Sequence, residues 1–154
     1  MKKLTLEKYD YPHFREVNVR LEFEYNARGF GNLRLLDGDR VVDDLMCRTG
    51  SIDKSGQLVN PIGPDTWYIP SESVDTNEIG MYIHEGEGWK IRLYRRDVLS
   101  GEFQYTHYLI HPDGGLPGSK GCIVIQGSDA LSFRHELDAA VRDYARIPVI
   151  VRAA

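Results

Sequence analysis

A histidine and a cysteine, eleven residues apart, are the residues best suited to carry chemistry in this chain. His111 ends an apolar segment, HYLIH, and Cys122 begins another, CIVI. The residues between them are mainly glycine, proline and small polar residues, which can bring two strand ends together. A neighbouring imidazole can take the proton of a thiol, and the thiolate can attack a carbonyl carbon. The pair therefore predicts acyl transfer through a cysteine nucleophile.

Gly121 precedes this cysteine and favours a site for an oxyanion. Because glycine has no Cβ, the backbone can turn sharply there and direct N–H groups near Cys122 at the oxygen of a tetrahedral intermediate. A third group should hold the imidazole of His111 in one tautomer. The candidates are the carbonyl of Pro112 and the carboxylate of Asp113. The sequence does not decide between them.

Most of the chain has the alternation of apolar and polar residues that is typical of β-strands. These strands must position the histidine and the cysteine. The segment NVRLEFEY (18–25) predicts a strand with one buried face. The segment NLRLLDGDRVVDDLMC (32–47) predicts a hairpin, because Asp37 and Gly38 separate two apolar runs. Further strands are predicted for TWYI, MYIH, KIRLY, QYTHYLIH and CIVIQ. His111 then lies at the end of its strand, where the chain turns back toward the cysteine.

One segment, 127–148, has the spacing of an amphipathic helix. Ser128 is suited to cap its first turn, and apolar residues recur every three or four positions. These residues are Phe133, Leu137, Ala140, Val141 and Tyr144. Pro148 should end the helix, and the segment VIV predicts a last strand. One helix packed on a sheet gives a small, mostly β domain of the α+β class.

Length and charge indicate one globular domain over residues 1–154. The formal net charge of −4 argues against nucleic acid as a partner. No apolar run reaches the ~18 residues of a membrane span, and the start MKKLTLEKYDYPHF lacks the apolar core of a signal peptide. We therefore expect no membrane span and no self-exported precursor.

The two cysteines are too few for a disulfide framework and lack the C-x-x-C spacing of a structural zinc site. A single bridge between Cys47 and Cys122 remains open, but it would consume the thiol that catalysis needs. The alternative for Cys47 is a half-buried strand residue without a redox role. The cysteine mechanism itself requires no cofactor and no metal.

Two separate segments resemble one enzyme family. The segment SKGCIVI (119–125) resembles the S-x-G-C-I motif of the L,D-transpeptidase catalytic domain, the YkuD-type fold, and IHPDGG resembles the segment with that family's catalytic histidine. Upstream, the segment 47–69 resembles the family's S-T-G and T-P-x-G motifs. The corresponding residues are Thr49, Gly50, Pro61 and Gly63. The resemblance covers about residues 19–126 and implies a β-sandwich or open barrel with one packed amphipathic helix.

This resemblance implies a substrate and a catalytic motif. Cys122 is the nucleophile and His111 the base, with Gly121 and Ser119 in the nucleophile motif. The substrate is the stem peptide of peptidoglycan. The cysteine attacks the carbonyl of its third residue, expels the terminal D-alanine and holds the rest as a thioester. Water, a D-amino acid or another amine then resolves it.

Four further residues are predicted to bind this substrate. Arg92 and Lys120 are expected to meet its charged groups, and Tyr105 and His107 its peptide stem. Lys120 replaces a histidine usual in the family, and the loop before Cys122 is short. Both features are similar to compact variants delivered by type VI secretion or encoded by phage. They imply action in the periplasm or cell wall, delivery by a secretion system or phage, and an immunity protein as a partner.

Two other functions remain open on the sequence. One is a zinc-dependent peptidoglycan amidase or peptidase built on His107, His111 and Asp113. On a strand, however, the two histidines would be roughly 13 Å apart, which does not suit a shared zinc ion. The other is a non-catalytic cell-wall-binding module. A chelator should inhibit only the zinc enzyme, and a thiol alkylator only the cysteine enzyme.

Overall fold

The computed structural model describes residues 19–70, 74–75, 83–84, 87–113, 121–126, 130–143 and 146–154. Within these ranges the chain is mostly β-structure with one α-helix, as predicted. The strands are β1 (Val19–Tyr25), β2 (Phe30–Asp37), β3 (Arg40–Arg48), β4 (Ser51–Ile52), β5 (Leu58–Val59), β6 (Asp65–Pro70), β7 (Val74–Asp75), β8 (Ile83–His84), β9 (Glu87–Gly88), β10 (Lys90–Arg96), β11 (Phe103–Pro112), β12 (Ile123–Ile125) and β13 (Arg146–Ala153). The helix α1 (Ala130–Asp143) lies between β12 and β13.

Eight of these strands form a closed barrel. Their order is β11, β12, β3, β2, β1, β13, β6 and β10, and β10 pairs back with β11. This last pairing closes the ring, where the sequence had suggested a sandwich or an open barrel. The short strand β7 pairs with β10, and β4 with β5 and β8 with β9 form two small separate sheets. Most barrel pairs are antiparallel, but β1 with β13 and β11 with β12 are parallel.

The barrel interior is filled by the apolar positions of alternating strands. In β1 the predicted inner face, Val19, Leu21, Phe23 and Tyr25, is buried, and the residues between them are at least partly exposed. Alternation of this kind places every second side chain in the centre of a barrel. Other strands contribute the fully buried side chains Leu33, Ile69, Ile91, Leu93, Ile110, Ile123, Ile125, Ile147 and Val149.

The hairpin β2–β3 turns one residue later than predicted. Asp37 is still in the strand and pairs with Arg40, so the turn residues are Gly38 and Asp39. Gly38 has φ of +63°, a conformation in which glycine has no steric cost. The predicted hairpin is therefore confirmed, with its turn shifted by one position.

The helix α1 is shorter than predicted, because Pro148 lies inside β13, opposite Tyr68, and does not end the helix. The parallel ladder with β1 begins one residue later, at Val149, so the proline precedes that ladder. Phe133 and Leu137 are fully buried, as predicted. Ser128 and Tyr144 and the side chain of Val141 lie outside the described residues. In the part of the chain that the structure describes, no helix has the length and apolar character to cross a membrane.

Candidate active site

His111 and Cys122 lie on the same face of two neighbouring strands. The parallel strands β11 and β12 pair Ile110 with Ile123 and His111 with Val124. Both isoleucines are fully buried in the barrel core. Since successive side chains of a strand point to opposite faces, His111 and Val124 lie on the outer face. Cys122 directly precedes β12, and its thiol is influenced by the charge of Arg92, which points outward from β10 between the buried Ile91 and Leu93, so the thiol lies on this side of the sheet.

The thiol of Cys122 is beside Leu109, whose backbone N–H donates a hydrogen bond toward the sulfur. His111 is two positions beyond Leu109 on the same strand and is therefore the diagonal neighbour of the cysteine. With strands ~4.8 Å apart and a rise of ~3.3 Å per residue, the two backbone positions are about 8 Å apart. An imidazole and a thiol extending from these positions can meet.

His111 is held in a defined tautomer by its neighbour in the chain. Its Nδ1 is 2.7 Å from the carbonyl oxygen of Pro112. A carbonyl only accepts, so Nδ1 donates and Nε2 carries the lone pair. The side chain is only 8% exposed, and this burial lowers the pKa of His111, assisted by the charge of Arg48 and opposed by Pro112 and Asp113. The imidazole is therefore neutral near pH 7 and can accept a proton.

The second candidate for orienting the imidazole, Asp113, has another partner. Its Oδ1 is 3.5 Å from Nη2 of Arg48, a side chain at the end of β3. Arg48 is opposite Val124 in the β3–β12 pairing, so it lies on the same face as His111. Sequence reasoning missed this arginine. No sequence motif around Arg48 indicates a place in the site, because only the strand order brings β3 beside β12.

The thiol of Cys122 is protonated in the resting site. Burial raises the pKa of the Cys122 thiol, while the Leu109 N–H and the positive charge of Arg92 lower it. Burial is the largest of these effects, so the Cys122 thiol and the His111 imidazole are both uncharged at neutral pH. An uncharged thiol and imidazole are suited to general-base catalysis, in which the proton moves as the sulfur attacks, and not to attack by a preformed thiolate.

The other cysteine cannot take part in this site. Cys47 is fully buried in the barrel core opposite Ile125 of β12, where we predicted a half-buried residue. Both cysteines are free, so the bridge that the sequence left open is not formed. The reason is geometric, because Cys47 points into the barrel and Cys122 lies on its outer face. Burial also raises the pKa of the Cys47 thiol, which keeps it unreactive.

Three of the four predicted substrate-binding residues form a row beside the cysteine. Arg92 pairs across β10 and β11 with Leu109, and its guanidinium carbon lies 4.5 Å from the ring centre of Tyr105. The Tyr105 ring is in turn 6.4 Å from the ring of His107. Tyr105 is 62% exposed, so this row is available to a ligand. The fourth residue, Lys120, and Ser119 of the nucleophile motif lie outside the described residues.

Thr49 and Gly50, in the upstream segment 47–69, have a structural role. Thr49 is buried, and its Oγ1 accepts a hydrogen bond of 2.9 Å from the N–H of Ile62. The carbonyl of Ile62 accepts a hydrogen bond of 2.7 Å from the hydroxyl of Tyr25. Gly50 has φ of +72°, and a Cβ there would lie 2.7 Å from the carbonyl oxygen of Val59. These contacts fold the segment after β3 back onto the end of the barrel.

The three ligands of the alternative zinc site are not brought together. His107 is exposed in the row with Tyr105, whereas His111 is bonded to Pro112 and Asp113 to Arg48. Over the described ranges, no group of three histidine, cysteine, aspartate or glutamate side chains could hold a metal ion. The strand spacing accounts for this, because four residues along a strand span roughly 13 Å.

Gly121 has a conformation that other residues adopt only under strain. Its φ is +98°, and a Cβ at this position would lie 2.3 Å from a carbon of the Tyr108 ring. That ring packs edge-on against Trp67, with ring centres 5.0 Å apart, so it has little room to move. The glycine thus lets the chain pass the tyrosine and present Cys122 at the start of β12.

We expect Gly121→Ala to lower the free energy of unfolding by about 1–3 kcal/mol, from backbone strain and the contact with Tyr108. Gly56→Ala is the matched control. Gly56 has a similar φ of +86° but no atom within 4 Å of an added Cβ. Chemical denaturation of the two variants therefore separates the steric contact from the backbone cost. Equal losses in both would show that Tyr108 does not restrict position 121.

Comparison with known proteins does not identify a family for this chain. The chain matches no protein-family model and no curated protein. The site is defined by its own chemistry, which comprises a thiol, a neutral imidazole with a fixed tautomer, and a neighbouring row of one guanidinium and two aromatic rings.

Proposed function

We propose that the protein is a cysteine-dependent acyltransferase of the L,D-transpeptidase type that acts on the stem peptides of peptidoglycan. The observation that carries this proposal is the placement of Cys122 and His111 on one face, with Nδ1 of the histidine bonded to Pro112. The likeness of SKGCIVI and of segment 47–69 to the family supports the substrate. The same proposal includes a YkuD-type fold, with which a mostly β domain carrying one helix agrees.

In the first half-reaction, Cys122 transfers its proton to Nε2 of His111 while Sγ attacks the carbonyl carbon of the third stem residue. Backbone N–H groups near Gly121 and Cys122 stabilise the negative charge on the carbonyl oxygen. The tetrahedral intermediate then collapses, and the bond to the nitrogen of the terminal D-alanine breaks. The imidazolium gives its proton to this nitrogen. The shortened stem remains bound to the sulfur as a thioester.

In the second half-reaction, an acceptor attacks the thioester carbon and His111 takes its proton. The bond to sulfur breaks, and the proton returns to the thiolate of Cys122. Water as acceptor yields a tripeptide stem, a D-amino acid yields an exchanged tetrapeptide, and the amine of another stem yields a 3-3 crosslink. The three reactions therefore share one acyl-enzyme and differ only in the acceptor.

The charges of the site suit a substrate with carboxylates. Arg92 acts on the thiol, and its guanidinium lies against Tyr105 in the exposed row. We assign Arg92 to a carboxylate of the stem, and Tyr105 and His107 to contacts along the peptide. Lys120 is assigned a second substrate charge, from the sequence motif alone. Ser119 belongs to the nucleophile motif on the same ground.

The likeness to compact effectors extends the proposal to the place of action. A substrate in peptidoglycan requires that the protein act in the periplasm or cell wall. Delivery by a secretion system or phage, and protection of the producing cell by an immunity protein, follow from the same likeness. Co-purification of a tight-binding partner encoded beside the protein would test the last point.

Incubation with tetrapeptide muropeptides tests the proposed reaction. We expect the protein to gain the mass of a tripeptide muropeptide bound as a thioester, and the products to be mainly tripeptides. With added D-methionine, exchange of the terminal D-alanine should appear, with 3-3 crosslinks a minor product. This expectation rests on the short loop 112–120, most of which lies outside the described residues and which should leave the thioester open to water and small amines. Mass spectrometry and muropeptide chromatography measure these species.

Inhibitors provide the control for this experiment. A thiol alkylator should abolish the adduct and the products, and a chelator should leave both unchanged. Crosslinked dimers without tripeptide or exchange product would contradict the open site. Unchanged muropeptides with an unmodified protein would contradict the proposed function itself.

A further inference from the structure

A pocket opens on the outer surface of the barrel at the beginning of β11. It has a volume of about 530 Å³, and its lining includes Tyr94, Arg96, Glu102, Phe103 and Arg146. Phe103 is opposite Arg96 of β10 and Leu109 is opposite Arg92, and four residues of a strand span about 13 Å. The pocket is therefore separate from the Cys122 site.

Two arginines share one aromatic ring in this pocket. The guanidinium carbon of Arg146 lies 4.0 Å from the ring centre of Phe103, and that of Arg96 lies 5.7 Å from it. Tyr68 packs edge-on against the same ring at 4.9 Å and fixes it from the side. A guanidinium that lies over an aromatic ring still has N–H groups that can donate hydrogen bonds. The ring thus positions two sets of donors beside one cavity.

The rim of the pocket is a well-bonded hairpin. The N–H of Asp97 donates to the carbonyl of Glu102 at 2.8 Å, and the N–H of Gly101 donates to the carbonyl of Asp97 at 2.9 Å. The carboxylate of Asp97 accepts a further hydrogen bond from the N–H of Ser100. Arg96 Nε donates to the carbonyl of Gly101 at 3.2 Å. The rim therefore holds Arg96 in place before any ligand binds, which lowers the entropic cost of binding.

The pocket has an excess of positive charge. Glu102 is the acidic residue of its lining, against the two arginines. Counting only residues that the structure describes, neither Arg96 nor Arg146 has a carboxylate at ion-pair distance. Arg95 differs, since its Nη2 is 3.0 Å from the Asp65 carboxylate. The charges of Arg96 and Arg146 are thus available to an anion.

We propose that this pocket binds an oxyanion, a carboxylate or phosphate group carried by a ligand. Two guanidinium groups lining one cavity supply the paired N–H donors that match the oxygens of such groups. The rings of Phe103 and Tyr94 form an apolar wall for the part of the ligand next to the anion. The site does not depend on the thioester chemistry, so it goes beyond the proposed function.

Nuclear magnetic resonance of the arginine Nε–H groups tests this site. The probes are inorganic phosphate, acetyl-D-alanine, and acetyl-D-alanine amide, which lacks the carboxylate. We expect saturable shifts of the Arg96 and Arg146 signals with phosphate, acetyl-D-alanine or both, none with the amide, and weaker binding at high salt. A response to phosphate alone identifies a phosphate site, and a response to acetyl-D-alanine alone identifies a peptide carboxylate site.

Variants of three arginines show whether the anion binds in this pocket. Arg96→Gln and Arg146→Gln should each weaken binding about tenfold, the effect of one lost charge-assisted hydrogen bond. Arg95→Gln is the matched control and should bind normally. Should Arg146→Gln fail to fold, Arg146→Lys keeps the charge but loses the planar fork, and it should also bind more weakly. Absence of saturable shifts in the native protein, or unchanged affinity in the Arg96 and Arg146 variants, would overturn the proposal. These measurements involve no turnover, so their failure is distinct from failure of the acyltransferase proposal.

Discussion

Replacement of Cys122 by serine is expected to reduce the turnover of tetrapeptide stems by about 10³-fold or more. The pKa of His111 is lowered by burial, so the imidazole is a weak base, adequate for a thiol but not for the much less acidic hydroxyl. The substitution is nearly isosteric and lies outside the buried core cluster, so the free energy of unfolding should change by less than about 1 kcal/mol. Muropeptide chromatography gives the rate, and thermal unfolding reports the fold.

Cys47→Ser is the matched control for this variant. It places a hydroxyl in the apolar barrel core, where Cys47 is fully buried, and should cost about 1–3 kcal/mol of stability. The rate per folded molecule should remain that of the native protein. Retained turnover in Cys122→Ser, or a large loss of rate per folded molecule in Cys47→Ser, would contradict the assignment of the nucleophile.

Removal of the imidazole at position 111 is expected to have the second-largest effect. His111→Ala should lower kcat/KM by about 10²–10⁴-fold, because the thiol then has no base to take its proton and the leaving amine no acid to supply one. His107→Ala is the control, because His107 lies on the other side of Leu109, is exposed and packs beside Tyr105, whereas His111 is buried with its tautomer fixed by Pro112. It should lose several-fold at most. Equal losses in the two variants would contradict the assignment of the base.

The pH profile distinguishes a base from a residue that only supports the fold. Burial lowers the pKa of His111 from its usual 6.5, so kcat/KM should fall only as the pH drops below 6.5, where the imidazole becomes protonated. In His111→Ala this acid limb should disappear from the remaining activity. The unfolded chain binds the proton more readily than the buried imidazole, so stability should also decrease as the pH falls below 6.5. An acid limb that persists in His111→Ala would assign it to another group.

The parts of the fold that depend on neighbouring residues were predictable from the sequence. The strict alternation of apolar and polar residues in β1 indicated its buried face, because a pattern that repeats every two residues fits a strand and not a helix. The turn at Gly38 was found to within one residue for a similar reason, since only a few residue types tolerate positive φ. The helix was recognised from the spacing of Phe133 and Leu137.

The parts that depend on distant strands were not predictable. Pro148 is a helix-ending residue by local rules, but its place in β13 depends on where the ladder with β1 begins. The position of Cys47 inside the barrel follows from the strand register with Ile125, and the proximity of Arg48 to His111 follows from the order of β3, β12 and β11. A local pattern contains no information on strand order. The candidate pair was suggested by sequence, whereas its electrostatic surroundings required the structure.

The position of β13 has a consequence for how the chain reaches its native state. This strand lies between β1 and β6, and it pairs Leu21 with Val149. The pairings within the β1–β2–β3 meander are local and can form early, but its β1 edge has no partner until β13 has been synthesised and has inserted. Contacts between residues so distant in the chain slow folding, and an unpaired strand edge can recruit other chains in the meantime. Slow synthesis at low temperature should therefore favour recovery of the folded protein over aggregates.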